Sequence, residues 1–274
     1  MTNSDNEIKR QVREFYNQVG WQEISDGVYQ NARYEDLRPV VQEYIHRCHV
    51  RVSRYLAPSG RYLLDAGSGP IQYPEYLEYS RNYEKRVCAD ISHTALQAAR
   101  KRIGDKGLFV VSDISKLPFA NDVFDGVVSL HTIHHLPEDD HVLAYLELHR
   151  VLAPERTAAV VNGWDSSPLM DRMDKLKSRM KSRKGKAHKN SSALEKQVGT
   201  HVVKHDAAWL HSQLEGKFDY QVKVWRTAST NVLRFFIREK WYGRQWLRLL
   251  FWLEERFPRF FGERGLYPMV VIQK

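Results

Sequence analysis

The chain has 274 residues, 42% hydrophobic and 12% aromatic, which suits one large folded domain with an elaboration and excludes a disordered chain. Its formal net charge is +9, but nine Lys or Arg against two acids fall between Asp171 and Asn190, so the basic character is local and the remainder is near neutral. Two cysteines make no disulfide framework, no run of about 18 apolar residues can span a membrane, and "TNSDNEIKR" after Met1 lacks the apolar core of a secretory signal; a cytoplasmic location is expected.

Ile8, Val12, Phe15 and Tyr16 stand at helical spacing, so the first 20 residues read as a helix stopped at Gly20. A second helix runs from about Leu37 to Leu56 and ends in "APSG". An alternation then begins. "RYLLDAG", "RVCADI", "LFVVSDI", "FDGVVSLHT" and "TAAVVNGW" read as strands. Between them lie the helical turn "YPEYLEYS" and the helices "SHTALQAARKRIGD", with Ser92 as its cap, and "DDHVLAYLELHRVLA". The pattern breaks at 165–204, the basic segment, and resumes with the helix "DAAWLHSQLEG" and the strand "FDYQVKVWR". An aromatic-rich amphipathic stretch, Asn231 to Phe257, precedes a last strand, "YPMVVIQK". Apolar strands alternating with helices predict an α/β fold: a mostly parallel, Rossmann-like, seven-stranded sheet with helices on both faces.

Three acids fall near strand ends: Asp65 after the first, Asp90 after the second, Asp113 after the third. In an open α/β sheet, ligands bind beyond these carboxyl ends. Gly67 and Gly69, in the turn after the first strand, let the backbone approach a ligand closely. Asp90 lies 21 residues past Gly69, where a carboxylate can accept both hydroxyls of a ribose. From Gly67, the dinucleotide fingerprint needs a small residue at Gln72; "GSGPIQY" instead favours a ligand without a pyrophosphate.

At "LLDAGSGP", "CADIS", "VVSDISKLPFANDVFDGVVSLHTIHHLP" and "ELHRVLAP" the chain resembles the class I S-adenosylmethionine-dependent methyltransferases, in particular the branch of quinone-pathway C-methyltransferases and small-molecule methylases. The resemblance spans roughly Phe15 to Gly163. It implies S-adenosylmethionine as cofactor and no metal. Asp65, Gly67, Ser68 and Gly69 would surround its methionine end, Asp90 would take the ribose hydroxyls, and Ile91 would pack on adenine. Asp113 would accept the adenine amino group, with Ile114 beside it. His131 would lie near the sulfonium and the acceptor, as a candidate base or a cofactor contact. Two departures stand out: Ile71 replaces the third glycine of the motif, and "APERT" replaces the usual Pro-Gly-Gly after the fourth helix.

The resemblance further implies residues 59–164 as the cofactor-binding core, 1–58 as an N-terminal helical lid, 165–204 as a basic cap inserted after strand five, and 205–274 as the rest of the sheet. Tyr16 is expected at the cofactor, with Phe15, Trp21, His135 and Trp164 in the acceptor pocket. Arg47 and Arg51 are candidates for the methionine carboxylate; His134 and His135 are further candidate bases, with a structural turn pair as their alternative reading. In-line methyl transfer to O, N or C of a small-molecule acceptor is the expected activity. The alternatives are an RNA or protein methyltransferase guided by the 171–190 segment and a non-catalytic binding protein of the same fold. A nucleic-acid partner is not favoured, because the basic segment lacks interleaved aromatics. The C-terminal amphipathic stretch is a candidate for peripheral membrane contact.

Overall fold

Helix α1 (Asn3–Phe15) opens the chain and widens into a looser turn over Tyr16–Gly20, ending at the glycine. The computed structural model describes residues 3–25, 28–30, 35–182, 200–239 and 242–274. A short antiparallel pair, β1 (Glu23–Ser25) and β2 (Val28–Tyr29), follows where the sequence suggested no element. Helix α2 (Pro39–Val50) carries its proline at the start, where the missing N–H has no helical partner to lose, and tightens into a 3-10 turn at Arg51–Tyr55.

The sheet is laid down by β3 (Gly60–Ala66), β4 (Tyr83–Asp90), β5 (Gly107–Val111), β6 (Gly126–Leu130) and β7 (Thr157–Val161). Helix α3 (His93–Ile103) follows β4 and α4 (Asp140–Val151) follows β6. The Ser92 hydroxyl accepts from Ala95 N at 3.1 Å and so caps α3, as its sequence announces. After β7 come α5 (Pro168–Ser182), α6 (Ala207–Leu214), β8 (Asp219–Arg226), α7 (Thr230–Phe236), α8 (Gly243–Arg256), α9 (Pro258–Arg264) and β9 (Tyr267–Gln273). The basic segment is therefore helical over Pro168–Ser182, and its stretch from 183 to 199 lies outside the described residues.

The strand order is β5-β4-β3-β6-β7-β9-β8, with β9 antiparallel to both neighbours and the others parallel. Alternation along the strands splits the core into two layers. Leu64, Val127, Ala158 and Val160 face α4 and α6, meeting Leu148, Leu210 and Leu214. Leu63, Val128, Ala159 and Val161 face the other way, onto Val52, Leu56, Tyr79 and Trp225. A separate cluster joins α2, α5, α7 and α8 through Val41, Tyr44, Met170, Leu233, Leu247 and Phe251.

Both departures from the family motif fall on left-handed backbone. Ile71 has φ +57° and is fully buried, and Glu155 has φ +59°. A β-branched residue at such an angle stores on the order of 1–2 kcal/mol of strain, held in place by packing around it.

Candidate cofactor and acceptor site

The strand order reverses between β3 and β6, and a cavity of about 510 Å³ opens at their carboxyl ends. The turn after β3 forms one wall. Gly67 takes φ +76° and lies against Thr132, which would occupy the place of a Cβ there. Gly69 takes φ +53°, and a Cβ on it would come within 2.9 Å of the Trp21 ring. Thr132 closes the junction by donating to the Leu130 carbonyl at 3.1 Å and the Gly67 carbonyl at 3.3 Å.

Asp90 ends β4 and is 8% exposed. One carboxylate oxygen accepts from Gly69 N and the other from Ser92 N, each at 2.8 Å. Burial nevertheless raises its pKa to about 6, because the two backbone donors offset the desolvation only in part. Asp65 is gripped from beneath by the buried Arg86 guanidinium, which also donates to the Tyr76 carbonyl at 2.6 Å. Asp113 is met by Lys9 of α1, whose ammonium also reaches Ser115 at 3.1 Å and Asp140 at 2.5 Å. The Ser92 hydroxyl donates to Asn17 at 2.7 Å, giving a second tie between the N-terminal turn and the sheet edge.

The other end of the cavity gathers histidines and aromatic rings. His131 follows β6 with φ +57°, and its N–H donates to the Val161 carbonyl at 2.7 Å. Its ring meets Trp225 and Tyr267 edge-on, with centroids 5.0 and 5.7 Å away. Desolvation first, then the charge of Arg226, lowers its pKa to about 3, so it is a neutral imidazole at physiological pH. His135 Nδ1 contacts the His201 carbonyl at 2.9 Å, and a carbonyl only accepts, so that nitrogen carries the proton. Its Nε2 then accepts from the Tyr16 hydroxyl at 2.7 Å, and Tyr16 stacks on Trp21 at 5.2 Å. His134 turns to Asn162 at 3.2 Å and also lines the cavity.

Every proposed cofactor contact lines this one cavity: Tyr16, Asp65, Gly67, Ser68, Gly69, Asp90, Ile91, Asp113, Ile114 and His131. Phe15, Trp21 and His135 line it too. Trp164 does not. It is 4% exposed in the core beneath and donates its indole N–H to the Gly262 carbonyl at 2.8 Å, so packing explains it. Arg51 is likewise internal, bound to Glu254 at 2.9 Å and the Trp225 carbonyl at 2.6 Å, while Arg47 pairs with Glu43 at 2.7 Å. Neither lines the cavity.

Sequence reasoning missed Glu35, Lys204, Trp225, Arg226 and Tyr267, all on the cavity wall. Arg226 is 3% exposed, pairs with Glu35 and lies over the Tyr267 ring at 4.6 Å. A signal existed. Arg226 is a cation closing an apolar strand, and β8 runs parallel to β3 and β4, so the rule that singled out Asp65 and Asp90 applies to it equally. Tyr267 reaches the same edge because β9 is antiparallel and starts where its neighbours end.

The fold and crevice define a doubly wound α/β sheet with a ligand-sized cavity at its topological switch point. Comparison with known proteins points the same way: residues 64–160 match the family model described as "Methyltransferase domain". A malonyl-[acyl-carrier protein] O-methyltransferase of Legionella pneumophila is 32% identical over 47% of this chain and 46% of its own length. The ubiquinone/menaquinone biosynthesis C-methyltransferase UbiE of Coxiella burnetii is 27% identical over 45% of this chain and 52% of its own. The chain thus spans about half the length of these two relatives. Among solved structures, phosphoethanolamine N-methyltransferase 1 of Haemonchus contortus superposes with a TM-score of 0.60, covering 100% of this chain and 50% of that one. At 9% identity that likeness is one of fold.

The residues present fit S-adenosylmethionine. The glycine turn leaves room for a ligand, the Asp90 carboxylate lines the cavity beside it, and Ser112 on the same wall has a buried hydroxyl with no partner among the described residues.

Proposed function

We propose that the chain transfers a methyl group from S-adenosylmethionine to a small-molecule acceptor. The observation that carries this reading is a single cavity joining the glycine turn and Asp90 at one end to the neutral His131 at the other. Asp90 would hold the ribose hydroxyls, with Ile91 and Ile114 flanking adenine. Asp113 would receive the adenine amino group once it shares its oxygens with Lys9. The bound cofactor supplies a methyl carbon activated by positive sulfur. The chain's own part is to orient the acceptor in line with that carbon and to keep water out. Phe15, Tyr16 and Trp21 supply the shielding wall, and α1 with the turn after it acts as the lid. His131, kept neutral by burial, would accept a hydrogen bond from an acceptor that has a proton to lose and so orient it, the proton passing to solvent.

The acceptor end also carries Lys204, which faces the cavity beside Gly163 and whose pKa burial lowers. Glu35 compensates Arg226, and Lys204, whose charged neighbour is the exposed Asp165, is the cation at this end that an acceptor's carboxylate or similar anion would meet. The test has two stages. Calorimetric titration with S-adenosylmethionine and its demethylated product should show micromolar binding; folded protein that binds neither would sink the reading. Mass spectrometry should then find methylated product from a panel pairing aromatic and aliphatic carboxylic acids with their primary amides. Turnover of the amides alone would remove the role given to Lys204.

A further inference from the structure

Helix α8 has two faces of different character. Leu247, Phe251 and Glu254 are buried against α2 and its neighbours, Glu254 completely. On the opposite side Trp246, Leu249 and Trp252 are 61%, 45% and 58% exposed. At about 100° per residue these three and the half-buried Leu253 span an arc of about 120°. Tyr242 precedes the arc at 74% exposed, and Phe257 and Phe260 continue it at 49% and 43%. Exposed aromatic side chains in this number on one short stretch are unusual for a surface that faces only water.

The charges around this patch are sorted by sign. Glu254 and Glu255 turn inward to Arg51, and Glu255 also meets Arg54. Arg244, Arg248, Arg256 and Arg259 stay on the outside, Arg248 sharing Glu43. Trp and Tyr have an apolar body with a polar edge, and Arg can lay its stem on apolar surface while its head stays wet. That combination matches the boundary between lipid headgroups and acyl chains, and the outward arginines match anionic headgroups. Among the described residues no helix is long and apolar enough to cross a membrane, so contact would be made by lying on it.

From this we infer that the exposed face of α8, with Tyr242, Phe257 and Phe260, docks the protein onto the surface of a lipid bilayer carrying anionic headgroups. The inference is independent of the methyl-transfer reading. Nothing in it requires the cavity to hold a particular ligand.

The test is flotation with vesicles of phosphatidylcholine alone and of phosphatidylcholine mixed with phosphatidylglycerol, using the full chain and a Trp246→Glu/Trp252→Glu variant. Far-ultraviolet circular dichroism and the thermal midpoint confirm that the variant is folded; should it not be, Leu249→Glu takes its place. The expected result is partition of the wild type onto the mixed vesicles, weakened by salt, and at least about tenfold weaker partition of the variant. Three results would overturn the inference: no partition of the wild type, equal partition of wild type and folded variant, or a wild-type dimer by light scattering that the variant abolishes while neither floats. The last would mean that a second copy of the chain covers the face. Cofactor titration on the same samples keeps failure here separate from failure of the proposed activity.

Discussion

The two ends of the cavity are built in different ways. The cofactor end is made of consecutive strand ends: β3 and its glycine turn, β4 with Asp90, and the loop after β5 with Asp113. Each contributes a short local motif, and the polar groups are fixed by backbone donors or neighbouring cations. The acceptor end is assembled from residues far apart in sequence: Tyr16 before the sheet, His131 and His135 within it, Lys204 after the insertion, and Trp225, Arg226 and Tyr267 on the last two strands. Its histidines are neutral through desolvation, and its rings pack edge to face. One end is a backbone device that a motif can encode; the other is a packing device that only the folded chain assembles.

If this contrast is right, changes at the first end should abolish cofactor binding and changes at the second should alter turnover. The largest effect is expected from Asp90→Ala, which removes the proposed acceptor for two ribose hydroxyls and leaves Gly69 N and Ser92 N without the carboxylate they donate to. Titration calorimetry should show affinity at least about 100-fold lower. Gly67→Ala places a methyl against Thr132 at a left-handed angle; a loss of about 1–3 kcal/mol of stability, read by denaturant titration, should accompany lost cofactor binding. His131→Ala should lower the methyl-transfer rate by about tenfold for an acceptor that must lose a proton, with cofactor affinity nearly unchanged. Equal loss of both quantities would make His131 a cofactor contact and blur the division.

The pH dependence sharpens the same contrast. Asp90 titrates at about 6, and only its ionised form accepts two hydroxyls, so cofactor affinity should fall as pH drops below 6, by up to about tenfold per unit. Its linkage to folding has the opposite sign. The folded pKa is raised, so the proton contributes stability that is fully present below the unfolded value near 3.8 and is lost as pH rises through about 6. Denaturation of the apo protein at pH 5 and pH 7 separates the two. The smallest effect belongs to Tyr16→Phe, which deletes one hydroxyl bonded to His135 and should reduce turnover by less than about tenfold.

The sheet and the cofactor end were legible because their signals are local. Each strand is a short apolar run, Ser92 and Asp206 cap helices within three residues, and Asp90 sits at a fixed distance from the glycines. Trp164 misled for an instructive reason. Its place after a strand end was right for a pocket, but β9 and α9 fold over it and bury its ring, a contact made 98 residues away. Arg51 misled similarly: a cation near a helix end was a candidate for the methionine carboxylate, but the fold brings Glu254, 203 residues later, against it. Glu35 and Arg226 could only have been paired by knowing the fold, since 191 residues separate them.

Glu254 has a further consequence. It is fully buried in α8, where it accepts from the Tyr44 hydroxyl at 2.7 Å, from Thr227 N at 3.0 Å and from Arg51. Thr227 is the neighbour of Arg226, so the outermost helix is riveted to the floor of the acceptor end. The same helix is threaded between β8 and β9, the two strands that complete the sheet. It is no removable appendage. Shortening the chain before it would strand the buried Arg51 without its carboxylates, at about 3–5 kcal/mol, and remove β9, the strand that carries Tyr267 and joins β8 to β7.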